Sequence, residues 1–357
     1  MSSTRRNFLN RTASILTGSG LLSAGANLPI WNVPLLAPNN NGRTEESVKA
    51  IRRGMKWLER AKCPGGGYGS DVGQKDDIGC SAVVGLSMLA EGSTPHVGPH
   101  RHTLRKLNDY LIKKTEEMSE LNITSATGTQ LQNKIGQQAH TFFALLFLSQ
   151  IAGETRLIKK TFKACGKLTN AVVKTQKGDG SWGGRSWAPV LGTVMGWTSL
   201  RSSHFAGFDV GGSPEKTAEC LIRTMTKNLN QQQHWMHQLY KHAAGIRVLY
   251  AMGKENEPVV KAAFEKVLSL VTNGKTAFNQ AGGEEYLAFH LITETMLQKE
   301  DQDWDKWFPV VRDKIIEVQN SDGSWTGHHC ITSRTFCTAA ACLVLSAPNR
   351  YLPISQK

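Results

Sequence analysis

The chain contains no stretch of about 18 uncharged apolar residues, so no segment of it can cross a bilayer as a helix. Cysteine is sparse: Cys63, Cys80, Cys165, Cys220, Cys330, Cys337 and Cys342 are scattered and odd in number, which excludes a disulfide framework. Apolar–polar alternation of period two is rare, and with it goes a sheet-built fold. There is no Gly-x-Ser-x-Gly elbow for a serine nucleophile, and the cysteines show no activating pattern. The Gly-rich runs lack the Gly-Lys-Ser/Thr of a phosphate loop and therefore read as turns. What is present, across 357 residues, is 40% hydrophobic and 20% charged side chains, enough apolar material for a large core and too much for a disordered chain.

The first 26 residues hold no acid at all. Ser3-Thr4-Arg5-Arg6-Asn7-Phe8-Leu9 resembles the twin-arginine export signal, a weakly apolar stretch runs from Thr12 to Ser23, and Ala24-Gly25-Ala26 offers a small-x-small cleavage site. Residues 1–26 are therefore set apart as a leader, and 27–44, with Pro29, Pro34, Pro38 and Asn39-Asn40-Asn41, as a linker. Export implies a periplasmic or envelope location, and with folding completed before export the cysteines need not pair. Losing Arg5, Arg6 and Arg11 lowers the formal charge of +13 by three, a surplus that suits anionic lipid or acidic polymer at the envelope. The basic residues are dispersed and no nucleic-acid module is recognisable, so nucleic acid is not expected as a partner.

Beyond the linker, apolar residues recur at helical spacing between Gly-rich turns, and the sequence repeats itself. Gln176-Lys177-Gly178-Asp179-Gly180-Ser181-Trp182 returns as Gln319-Asn320-Ser321-Asp322-Gly323-Ser324-Trp325, with a looser copy that has Ala61 for the glutamine and Tyr68 for the tryptophan. Each copy ends one helix and precedes another; glycine supplies the helix stop, glutamine can bond orphan backbone groups, and tryptophan can cover the gap between hairpins. Tracing without gaps predicts six hairpins at about 45–92, 100–153, 158–207, 214–253, 258–297 and 304–347. First helices carry charge (Lys106, Lys113, Glu116) and second helices are apolar (Ala144-Leu145-Leu146-Phe147, Ala339-Ala340-Ala341-Cys342). One helix of each pair then faces water and the other faces inward. The prediction is an all-α fold, an α/α toroid over 45–352 with an inner and an outer ring of helices, followed by a tail at 353–357.

These residues resemble the prenyltransferase and squalene oxidase repeat, the Gln–Trp repeat of squalene–hopene cyclases and protein prenyltransferase β subunits. More closely, the chain looks like an exported bacterial group of single toroids of unassigned function. The matching features are Met195-Gly196-Trp197 and Gly283-Glu284-Glu285-Tyr286 at inner-helix openings, and the ending Tyr351-Leu352-Pro353-Ile354. In such a ring the first turns of the inner helices, with their free N–H groups, build one mouth, and polar residues there are the default site. That mouth collects Asp76 and Asp77, Gln138 and His140, Thr193 and Trp197, Tyr240 and His242, Glu284 and Glu285, and Ser333 and Arg334.

The resemblance to squalene–hopene cyclases implies a role for Asp76, since those enzymes carry Asp-x-Asp-Asp at an inner-helix start and protonate an alkene with the middle residue. Here Gln74 stands in the first aspartate's place and Lys75 would hold the acids ionised, so helix capping is the competing role. Phe142, Phe143, Trp197, Tyr250, Tyr286 and Phe336 fit a cation cage or plain core filling equally by spacing. The prenyltransferase resemblance implies zinc on Asp-x-Cys and a distant histidine. Asp77 and Cys80 are one residue too far apart for it, Arg334 occupies the histidine's place, and adjacent His328-His329-Cys330 should splay. His96, His100 and His102, like His234 and His237, read as loop histidines, so no metal and no cofactor are expected. The thioester motif Gly-Cys-Gly-Glu-Gln of complement-type toroids is absent; Cys63-Pro64-Gly65-Gly66 does not match it.

Three functions fit this pattern. The first is an envelope binding or scaffold protein with a central cavity for an apolar or isoprenoid ligand or a peptide. The second is an isoprenoid-cyclising enzyme with Asp76 as general acid. The third is an enzyme on acidic polysaccharide that uses Glu284, Glu285 and Arg334. Oligomeric state is left open by the sequence.

Overall fold

In the computed structural model the described residues are 42–119, 121–123, 127–231, 234–274, 276–299 and 301–355. The leader (1–26) and linker residues 27–41 lie outside them. Thr44 starts the first helix, α1 (Glu45–Arg60), by accepting from the Ser47 amide at 3.1 Å, while the Ser47 hydroxyl answers with a bond to the Thr44 backbone. Ala50, Ile51, Gly54, Met55, Trp57 and Leu58 line its buried stripe, and its remaining face carries Arg52, Arg53 and Lys56. The same amphipathic pattern marks α3 (Arg101–Glu116), α6 (Ile158–Thr175), α8 (Ser213–Asn228), α10 (Pro258–Thr272) and α12 (Gln302–Glu317).

Their partners are α2 (Ile78–Glu91), α5 (Ala139–Ile151), α7 (Pro189–Phe205), α9 (Trp235–Ala251), α11 (Gly283–Lys299) and α13 (Arg334–Ser346). These helices are apolar on most sides because they have neighbours on most sides; every residue of α5 is buried. Each packs on the next, α2 on α5, α5 on α7, α7 on α9, α9 on α11 and α11 on α13, and α13 returns to α2. That closes the inner ring, and outer helix α12 meets α1 at the same seam. The predicted toroid of six hairpins is the observed fold. Among the described residues, strand is confined to the antiparallel pair β1 (Tyr68–Gly69) and β2 (Asp76–Asp77).

The repeated motif works at the seams. Trp182 Nε1 donates to the Val172 carbonyl at 2.8 Å and Trp325 Nε1 to that of Ile315 at 2.7 Å, so each indole satisfies the outer helix it follows. The amides of Gln176 and Gln319 reach forward to the next outer helix, to Ser213 O (3.0 Å) and Ala50 O (3.0 Å). Gly180, at φ +89°, passes so close to that helix that a Cβ would lie 2.1 Å from the Lys216 carbonyl oxygen, which only glycine tolerates.

Two additions seal the ring ends. A short helix, α4 (Gln130–Ile135), begins with Thr129 as cap and lies across the mouth. Leu131 abuts Gly79 at the start of α2, the Ala188 amide before α7 donates to Lys134 O at 2.8 Å, and Gln130 Oε1 accepts from the amides of Thr332 and Ser333 ahead of α13. At the opposite end residues 353–355 enter the ring: Arg247 donates to Ile354 O at 2.9 Å, Gln298 to Ser355 O at 3.0 Å, and the Ile354 amide to Gln150 at 3.3 Å.

Candidate functional site at the mouth of the ring

Asp77 is the N-cap of α2: its Oδ1 accepts from the Cys80 amide at 2.7 Å, and Oδ2 lies 3.2 Å from His140 Nε2 on the neighbouring inner helix. Burial would raise its carboxyl, but His140 and the Cys80 amide outweigh burial and hold it below the usual range. Asp76 accepts from the Tyr110 hydroxyl at 2.6 Å and lies 3.8 Å from the Lys114 ammonium. Burial, then the Asp76 hydrogen bond, push the Tyr110 phenol well up, so it stays a donor.

A second cluster gathers where α11 begins. Glu284 and Glu285 are fully buried in its first turn, where the free N–H groups of a helix favour negative charge. Glu285 Oε2 accepts from the Gly282 amide at 2.8 Å and Glu284 Oε2 from that of Ile331 at 3.2 Å. Lys134, on α4, brings its ammonium to 2.9 Å from Glu284 Oε1 and to 4.5 Å from the centre of the Tyr240 ring. Both members of this ion pair are removed from water, with side-chain exposures of 4% and 0%. His329 Nε2 stands 3.1 Å from Glu285 and 3.4 Å from Glu284.

The electrostatics follow from that packing. Burial pulls the Lys134 ammonium down, yet the charge and hydrogen bond of Glu284 lift it above its ordinary range. Burial and the like charge of Glu284 raise the Glu285 carboxyl against the pull of His329. The bond to Glu285 raises the His329 imidazole. An acid held up beside an imidazole held up is a pair that can share and pass a proton at a buried rim.

The remaining sequence candidates do not join this cluster. Trp197 was expected at an inner-helix opening, but α7 starts at Pro189, which is pre-set for a first turn, so Trp197 sits in the third turn inside the ring. There its indole lies 5.5 Å from the Arg201 guanidinium. Arg334 is absorbed by the closing seam: it pairs with Asp322 of the repeat motif, donates to Ser324 Oγ at 2.7 Å and covers the Trp57 ring at 5.0 Å. Among the described residues no contact joins it to Glu284 or Glu285, so the grouping wanted for an acidic polymer does not form. Of the aromatic candidates, Phe143 and Phe336 meet edge-on at 5.7 Å, which places core filling inside the ring.

His242 is buried away from the carboxylates, with Nδ1 lacking a hydrogen-bond partner. Burial, helped by Lys266 and Lys241, takes its imidazole down to about 4. The neutral ring supports the fold fully above its ordinary value of 6.5, and that support drains away as pH falls from 6.5 toward about 4. A His242→Gln variant removes the titration, so its stability relative to the parent should improve by up to about 3 kcal/mol between pH 7 and pH 4. Urea unfolding across that range measures the difference, and a pH-independent offset would mean that the imidazole is solvated.

Two features lay beyond the sequence reading. Lys134 belongs to a segment with no helical stripe long enough to announce α4, and its only sequence signal is Thr129 with Gln132 three residues on, a capping box. Two members of His328-His329-Cys330, expected to splay, approach each other instead: His329 and Cys330. Cys330 adopts φ +48°, a left-handed backbone conformation. Ligating atoms of Glu284, His329 and Cys330 all lie within 4.8 Å of one another.

The sequence matches no family model and no curated protein. Solved structures do match. The type II terpene cyclase MstE from Scytonema, without ligand, aligns at 14% identity and a TM-score of 0.53 over 86% of this chain and 100% of that one. An Asp-to-Asn variant of MstE in complex with its substrate, geranylgeranyl dihydroxybenzoate, aligns at 13% identity and a TM-score of 0.53 over 87% of this chain and 98% of that one. At such identity the similarity establishes the α/α toroid fold.

Proposed function

We propose that this is an exported binding protein of the cell envelope whose ring takes up an apolar, isoprenoid-like ligand, and not a cyclase with Asp76 as proton donor. The partners of the two aspartates carry the reading. Protonating an alkene requires a neutral carboxylic acid facing an apolar chamber. Asp77 is held ionised by His140 and the Cys80 amide, and Asp76 accepts a hydrogen bond from the Tyr110 phenol beside the Lys114 ammonium. Support for an isoprenoid-like ligand comes from the fold shared with MstE, a variant of which holds geranylgeranyl dihydroxybenzoate. The twin-arginine pattern at Arg5-Arg6 and the positive formal charge support export to an anionic envelope.

Mass spectrometry of lipids extracted from the natively purified protein, followed by titration with geranylgeraniol while tryptophan emission is read, tests the proposal. The expected result is a co-purifying isoprenoid and saturable binding that Asp76→Asn leaves unchanged. Formation of a cyclic product that disappears in Asp76→Asn would overturn it, as would protein that is empty and fails to bind; a bound peptide instead would replace the ligand class.

A further inference from the structure

The loop ahead of α13 is built onto the first turn of α11. The His328 amide donates to Ala281 O at 3.1 Å and the Gly283 amide to Ile331 O at 2.8 Å, which pins residues 328–331 over Glu284. Three kinds of donor then converge: a buried carboxylate, an imidazole nitrogen and a thiol sulfur, all within 4.8 Å. In a tetrahedral zinc site neighbouring ligand atoms stand about 3.5 Å apart, so side-chain movements of about an ångström would close this set on an ion.

Two further observations point to a cation. His329 Nδ1 lies 3.0 Å from the Gln280 carbonyl oxygen, an arrangement in which Nδ1 donates and Nε2 is left toward the carboxylates, as in histidines that ligate metal through Nε2. Meanwhile Glu285 Oε1 is buried with no hydrogen-bond partner among the described residues, and Glu284 Oε1 faces the Lys134 ammonium and the His329 ring. The Lys134 ammonium stands 2.9 Å from that Glu284 oxygen and 3.5 Å from Cys330 Sγ, between the same two donors that a metal would use.

We propose that Glu284, His329 and Cys330 form a site for a divalent ion of the zinc type, and that the ion and the Lys134 ammonium compete for it. Coordination converts the Cys330 thiol to a thiolate and needs a bare His329 Nε2, so the thiol proton, together with the Nε2 proton where the imidazole is charged, passes to solvent. It also frees Lys134 from Glu284, removing one of the contacts that hold α4 over the mouth. The donors suit zinc or cobalt better than magnesium or calcium, which prefer oxygen alone.

Titrating the metal-stripped full chain with cobalt chloride and then zinc chloride tests this. We expect one cobalt per chain, a thiolate-to-cobalt charge-transfer absorption, and its loss on adding one equivalent of zinc. Cys330→Ser should remove the absorption, and His329→Ala should weaken binding by at least about 100-fold, since even outer partners of a metal site are worth 10–100-fold. Lys134→Met should tighten binding by at least about 10-fold by removing a neighbouring positive charge, a gain that misfolding cannot imitate. Absence of the thiolate absorption, or its persistence in Cys330→Ser, would overturn the site. Binding that survives Cys330→Ser and disappears when His234 and His237 are replaced would do the same, and unchanged affinity in Lys134→Met would overturn the competition.

Discussion

Glu294→Ala should destabilise the protein by about 4 kcal/mol, because it strands a buried guanidinium without its counter-charge. Arg247 and Glu294 face each other inside the ring at 3.1 Å, with side-chain exposures of 1% and 2%. Glu294 also accepts from the Ser355 hydroxyl and lies 3.6 Å from His290, while Arg247 holds Ile354 O. Loss of the carboxylate therefore unties the segment that closes this end of the ring. In the double variant Arg247→Met/Glu294→Leu both charges are gone, and most of the stability should return, since apolar replacements of a buried pair are often neutral. Urea denaturation of the single and double variants measures both effects. A cost below about 1 kcal/mol for Glu294→Ala would mean that water reaches Arg247 and that this end stands open.

Trp325→Ala should cost a similar amount, about 4 kcal/mol, as expected for deleting a fully buried indole and leaving a cavity. Its ring lies against Gly54 of α1, where a Cβ would come within 2.9 Å, and its Nε1 holds the end of α12 through Ile315 O. This tryptophan joins the last hairpin to the first. Amide hydrogen exchange should therefore accelerate in α1 and α12 well before α6 and α8, on the far side of the ring. Uniform acceleration around the ring would show that the closing seam is no weaker than the others. Trp182→Ala offers the comparison, since that indole sits within a seam that a covalent connection already spans.

How much of this could be read from the chain depends on the range over which each signal acts. The Asp-Gly-Ser-Trp turns, their preceding glutamines and the contrast between charged and apolar helices are local, and they reported the ring because the same local solution is repeated at separated points along the chain. Asp77 as an N-cap was legible for the same reason, its partner Cys80 being three residues away. Arg334 opens α13 as expected, but its partner Asp322 belongs to the turn of the repeat, and that pairing exists only once α13 returns past the turn. His329 and Cys330 converge beside Glu284, a residue 45 positions away, which residue types do not announce. Lys134 reaches Glu284 across 150 positions of sequence, which no periodicity records.

Sequence alone therefore determined the all-α class, the six hairpins, their order and which helix of each pair faces inward, because hydrophobic spacing and turn chemistry are decided within a few residues. Tertiary structure alone decided which charges meet. Lys134 with Glu284, His140 with Asp77 and Arg247 with Glu294 are pairs made between helices. Electrostatic partnership in a buried site is a matter of distance and dielectric, and both come into being only when the ring closes.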